Sequence, residues 1–155
     1  MPPRPPSRRR TCWAGSLVLR PETKARARAL QILYAWELAG RPDVDQLAAR
    51  LTASYGRVPD PQGERALVLA RRAAAGHAEF DRRVADAAEH WRLERIGVIE
   101  RSLLRLALAE LAEGVTPPRV VIDEAMRLAH WFAGPKAPPF VNGVLDAVAR
   151  QLGVL

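Results

Sequence analysis

"LERIGVIERSLLRLALAELAEG", residues 93–114, decides the fold class. Ile99, Leu103, Leu106 and Glu110 recur at helical spacing, with Leu104, Leu108 and Leu111 beside them. A helix that is apolar on most faces belongs at the centre of a bundle. The spacing predicts one long central helix ending at Gly114, broken by the "VTPP" that follows. Glu110 is the anomaly. It sits in the apolar text "LALAEL", with Arg105 five residues before it and Arg101 further back. A carboxylate near a core must be paired or hydrogen-bonded. A structural polar contact is the favoured reading.

Downstream, "PRVVIDEAMRLAHWFAG" runs over residues 118–134, with Pro suited to the first turn and Gly to the stop. "PKAPP" bridges to a last helix, expected from Pro139 and containing "FVNGVLDAVARQLG", residues 140–153. Its Asn-Gly dipeptide usually marks a turn. Here Asn142 and Gly143 read as a packing joint: the Asn bonds a neighbouring helix, and the Gly lets that backbone approach. Asp123 and Glu124 point about 100° apart on a helix, so they make a poor acid/base pair. They read better as groups favoured by the helix dipole.

Upstream, Glu64 to Trp91 is one long helical text with Gly76 as a bend or break. Leu67, Leu69, Ala70, Ala73, Phe80, Val84, Ala87 and Trp91 form its buried side. Residues 56–63, "GRVPDPQG", read as a loop, and "QLAARLTASY" before it as a helix capped by Asp43 or Asp45. The first helix opens at Pro21 and stops at Gly40. Ala29, Leu30, Leu33 and Leu38 share one side, with Tyr34 and Trp36 flanking. Lys24, Arg28 and Gln31 form a second, basic stripe at i, i+4 and i+7. No stretch alternates like a strand at useful length. The expected fold is all-α, a bundle of about seven helices.

Charge is concentrated at one end. Residues 1–28 hold Arg4, Arg8, Arg9, Arg10, Arg20, Lys24, Arg26 and Arg28 against Glu22 alone, the whole of the net charge of +7. Residues 29–155 balance 16 basic against 16 acidic groups. "MPPRPPSRRR" offers nothing to pack, so residues 1–20 read as a flexible basic arm and residues 21–155 as the helical domain. A neutral body with a basic arm points to a polyanion. A solvated leader explains the composition equally well. "TCWAGSLVLR", residues 11–20, is apolar without a clear period and has no assignment.

Several classes are disfavoured. The apolar runs are too short to span a bilayer, and residues 1–20 lack a secretory signal's cleavage site. The single cysteine, Cys12, allows no intramolecular disulfide and fits a reducing cytoplasm. His77, His90 and His130 are too dispersed for a metal site. No phosphate loop, nucleophile elbow or zinc-protease text is present. Neither an enzyme nor a cofactor is expected.

Taken together and in order, "KARARALQILYAWEL", "IERSLLRLALAEL", "VVIDEAMRLAHWF" and "FVNGVLD" resemble the NusB transcription antitermination factor family, over about Glu22 to Leu152. The resemblance implies an all-α fold of two small helical subdomains. It implies binding to the single-stranded boxA element of nascent ribosomal RNA, together with a small-subunit ribosomal protein, NusE. It further implies that the pair joins an RNA polymerase complex that reads through terminators. The implied RNA contacts are Lys24, Arg26 and Arg28 at the end of an arginine-rich segment, with Arg8, Arg9 and Arg10 substituting upstream, where Glu22 and Thr23 replace the family's arginines. Tyr34, Glu100 and Lys136 complete the set; ordinary core packing is the alternative for Tyr34. Glu110, Asp123, Glu124, Phe140 and Asn142 form the expected structural joint. In the family's "INEA" text, Asp123 stands for Asn, which keeps capping but loses amide donation. Two competing readings remain. One is the NusB-like front of a ribosomal RNA cytosine methyltransferase, which needs a further α/β domain. The other is a purely protein-binding bundle, perhaps a homodimer with an incidental arm.

Overall fold

The computed structural model describes residues 20–53, 61–88 and 93–155, and among these it shows α1 (Pro21–Leu38), α2 (Val44–Ala53), α3 (Pro61–Ala75), α4 (His77–Ala87), a 3₁₀ turn (Leu93–Arg95), α5 (Val98–Glu113), α6 (Pro118–Ala133) and α7 (Ala137–Gln151). Seven α-helices and no strand match the all-α expectation. Helix α5 is the centre. Ten consecutive residues, Ser102 to Leu111, are buried, and the helix packs on α1, α3, α4, α6 and α7. Helices α1–α3 pack together on one side of it, and α6 pairs with α7 on the other.

The helix ends follow local chemistry. Helix α1 closes in a Schellman arrangement: the Gly40 N–H donates to the Glu37 carbonyl and the Arg41 N–H to the Trp36 carbonyl. Gly40 and Arg41 both take positive φ, 81° and 64°. The Trp36 indole N–H donates to the Pro42 carbonyl at 2.9 Å, and the His77 ring meets the Trp36 ring edge-on at 5.4 Å. That contact ties the end of α1 to the start of α4. Gly76 stands between α3 and α4, where a Cβ would strike the Phe80 ring. Helix α5 ends at Gly114, with φ 73°.

Three boundaries and one burial differ from the sequence expectation. The text from Leu93 is not one helix: Gly97 is extended (ψ 155°), and α5 starts only at Val98. Helix α3 starts at Pro61, inside the stretch read as a loop, because a first-turn proline loses no helical hydrogen bond. The same rule starts α7 at Ala137, so that Pro138 and Pro139 occupy its first turn. Leu38 is 62 % exposed rather than inward, since it lies on the outer side of α1. Trp91, His90 and the end of the second helical text at residues 54–56 lie outside the described residues.

Two buried arginines lock α1 against α5. Arg26 of α1 reaches Glu110 of α5: Nε donates to Oε2 at 2.9 Å, and Nη2 contacts Oε1. In return, Arg105 of α5 donates from Nη1 to Glu37 of α1 at 2.7 Å. Each cluster recruits a third helix. Arg26 Nη1 lies 3.4 Å from Glu124 of α6, and Arg105 makes two 2.7 Å bonds to Asp81 of α4. Thr116 also donates to Glu110, at 2.9 Å. Arg65 of α3 holds Glu113 in a two-point bond at 2.8 and 2.6 Å. Glu110 therefore pairs with Arg26, and not with the Arg105 nearby in sequence.

Removing one partner from such a cluster strands buried charge. Arg105→Met leaves Glu37 and Asp81 without their shared donor. It should destabilise the fold by about 3–5 kcal/mol, measured by urea denaturation. A loss below 1 kcal/mol would mean that the cluster is solvated and does not hold the helices.

Candidate nucleic-acid interface

Helix α1 divides cleanly into two sides. Thr23, Ala25, Arg26, Ala29, Leu30, Ile32, Leu33 and Trp36 are buried. Lys24, Arg28, Gln31, Tyr34 and Leu38 are exposed. The physical reason is the helical period. Lys24 and Arg28 are four residues apart and share a side, whereas Arg26 is two residues from each and points the opposite way. The stripe predicted from Lys24, Arg28 and Gln31 is thus present, and it extends to Tyr34. That side chain is 40 % exposed, which removes the core-packing alternative.

Arg26 requires a correction. It was expected among the RNA contacts, but it is only 7 % exposed and is engaged by Glu110 and Glu124. No polyanion reaches that guanidinium without breaking the α1–α5 contact. Its neighbour Thr23 is likewise internal and donates to Glu124 Oε2 at 2.6 Å.

The remaining expected residues fall in three places. Arg8, Arg9 and Arg10 lie outside the described residues. Glu100 is half-buried in the first turn of α5, its carboxylate folded over Gly97 in the space that a Cβ would need. Next to it, Arg101 approaches Glu37 at 3.6 Å, so this turn lies alongside the last turns of α1. Lys136 is exposed at the start of α7, a helix packed on α4, α5 and α6.

The expected joint is partly dispersed. Glu110 and Glu124 meet around Arg26. Phe140 is partly buried against the core. Asp123 is exposed, because it turns 100° away from Glu124. Asn142 and Gly143 face solvent, and nothing lies within 4 Å of where a Gly143 Cβ would stand. The packing-joint reading of that pair therefore fails: with α7 starting at Ala137, both fall on its outer side. Sequence reasoning also missed Thr23, Glu37, Asp81 and Arg105. The available signal was charge inside apolar text, "AWEL" and "LLRLA", but it does not name the partners.

Among the described residues, no three His, Cys, Asp or Glu side chains gather as metal ligands, and no helix is long and apolar enough to cross a membrane.

Fold and site together define an all-helical binding module, with a cationic and aromatic stripe on the outside of its first helix. The comparisons narrow this class. Residues 23–150 match the model of the NusB family. The transcription antitermination protein NusB of Solibacter usitatus is 41 % identical over 129 residues, covering 83 % of this chain and 88 % of that protein. Among solved structures, NusB from Aquifex aeolicus superposes with a TM-score of 0.74 at 30 % identity, over 85 % of this chain and 89 % of that one. A crystal structure of the antitermination factors NusB and NusE in complex with double-stranded RNA superposes at 0.75 and 30 % identity, over 86 % of this chain and 98 % of that one. This chain belongs to the NusB family.

Glu37 gives the fold an acid limit. Burial disfavours its charged form, but hydrogen bonds from Arg41 and Arg105 outweigh this and hold the carboxyl at about 2. A lowered carboxyl contributes stability above its unfolded value of about 4.3 and loses it as pH falls toward the folded value. Stability should therefore be level above about pH 5 and should fall between about pH 4.5 and 2. Glu37→Gln should flatten that limb in chemical melts across the range. An unchanged limb would assign it to other carboxyls.

Proposed function

We propose that this protein is a transcription antitermination factor that binds single-stranded boxA in nascent ribosomal RNA. It does so with the small-subunit ribosomal protein NusE, and the pair joins an RNA polymerase complex and promotes read-through in the cytoplasm. The protein acts by binding and not by catalysis. The observation that carries this reading is the outer stripe of α1, where Lys24 and Arg28 supply positive charge and Tyr34 an exposed ring.

The chemistry suits an unpaired strand. Its phosphates gain from cations through counterion release, and its base faces can stack on aromatic rings. The stripe follows directly on the segment that holds Arg8, Arg9, Arg10 and Arg20. In this reading residues 1–20 act as an arm that adds affinity, and residues 21–155 provide the register. Glu100, in the first turn of α5, is assigned to accept from a base amine. Lys136 is assigned to a more distant phosphate. The solved NusB–NusE complex holds double-stranded RNA and its NusB is 30 % identical to this chain, which supports RNA and NusE as partners. The choice of an unpaired strand rests on the exposed ring of the stripe.

The test is binding of boxA RNA against a scrambled strand of equal length, with and without NusE, over a range of salt. The wild type should prefer boxA, and NusE should strengthen it. Lys24→Ala with Arg28→Ala should reduce the salt slope by about 1.4, at about 0.7 per phosphate on single strands. Equal affinity for both strands in the presence of NusE would overturn the proposal.

A further inference from the structure

We propose that Arg127 and Trp131, on one edge of α6, form a second subsite for the same unpaired strand. Arg127 takes a phosphate and Trp131 stacks on a base. The inference rests on the RNA-binding reading above and extends it to a helix that the α1 stripe does not include.

Val120, Glu124, Arg127 and Trp131 follow one another at i, i+4, i+7 and i+11, so they form a single line along α6. Glu124 is buried at the point where this line meets α1. The rest of the line is open: Val120 is 43 % exposed, Trp131 39 %, and the Arg127 side chain 48 %. The line thus presents an exposed indole one turn from a half-exposed guanidinium.

One carboxylate joins this line to the first turns of α1. Glu124 Oε2 accepts from Thr23 at 2.6 Å and faces Arg26 at 3.4 Å, whereas Glu124 Oε1 faces Arg127 Nη1 at 3.2 Å. Arg127 and the buried Thr23 therefore meet the same carboxylate, and the exposed Lys24 lies one residue on from Thr23, turned about 100° toward solvent. The junction is electrically balanced, since Arg26 and Arg127 oppose Glu110 and Glu124. Neither carboxylate is left to repel a phosphate. Asp123 is the exposed acid on this helix near the line, and it points about 60° away from Val120, toward the side that carries Arg119.

The occupant follows from the pairing of groups. A fixed guanidinium binds phosphate oxygens, and an exposed aromatic ring takes the face of a base. Among nucleic acids an unpaired strand offers both within one helical turn of protein, because a duplex hides its base faces. A strand leaving the first turn of α1 at Lys24 would pass outside the buried Thr23–Glu124 contact to reach Arg127 and then Trp131.

The test uses the full-length protein and a boxA-containing single strand. Indole emission is compared between the wild type and Trp131→Phe, so that Trp13, Trp36 and Trp91 cancel in the difference. RNA should quench the Trp131 component. Trp131→Ala should weaken binding about tenfold. Arg127→Gln should lower the salt slope by about 0.7, and Arg127→Lys, which keeps the charge, should restore it. If the wild type binds RNA and the Lys24/Arg28 double variant binds less well, yet the Trp131 and Arg127 variants bind like the wild type, this inference fails and the α1 reading stands. If the wild type binds no RNA, both fail. If Trp131 responds to NusE alone and not to RNA, the edge is a protein-docking face and the subsite is overturned.

Discussion

The exchange of arginines between α1 and α5 is the constraint on which the rest of the structure depends. Helix α1 gives Arg26 to Glu110 and receives Arg105 at Glu37. Burying four charges is expensive, and hydrophobic residues of similar size often serve stability as well. What the exchange adds is register. If α1 rotated or slid by one turn, both arginines would lose their carboxylates inside the protein. Thr23, Glu124 and Thr116 close the first cluster, and Asp81 and Arg41 close the second. The second cluster also ties α4 to the α1–α5 pair, so one half of the chain cannot shift without the other.

That register decides what α1 shows to solvent. With Arg26 and Glu37 turned inward, Lys24, Arg28, Gln31 and Tyr34 must face out. The outer side of α1 thus carries two cations in one row with the Tyr34 ring at its end. Exposed and buried cations alternate along the same five-residue text, "KARAR".

The same text shows how far the sequence could be read. Helical spacing already separated Lys24, Arg28 and Gln31 from Arg26, and resemblance to a family then grouped Arg26 with them. The period was the better guide, because it reflects geometry at that position. The all-α class, the central place of the 93–114 text and the break at Gly76 were legible from apolar periodicity and from Gly and Pro. The starts of α3 and α7 were not, because proline both ends a loop and suits a first turn. The pairing of Arg26 with Glu110, and of Arg105 with Glu37 and Asp81, was not legible either. Those residues are far apart in sequence, and no local pattern links them. Asn142 misled for a related reason. Its exposure depends on where α7 begins, and a shift of two residues moves it from the first turn to the outer side of the second.

Lys24, Arg28 and Tyr34 as binding groups, and Arg26 as an internal one, can be separated in a single experiment. In an arginine- and lysine-resolved NMR titration with boxA RNA and NusE, the Arg26 Nε–H should exchange slowly with solvent and keep its shift. The Arg28 and Lys24 side-chain signals should move with added RNA. A rapidly exchanging Arg26 Nε–H that shifts together with Arg28 would contradict the buried α1–α5 exchange, and with it the division of α1 into an inner and an outer side.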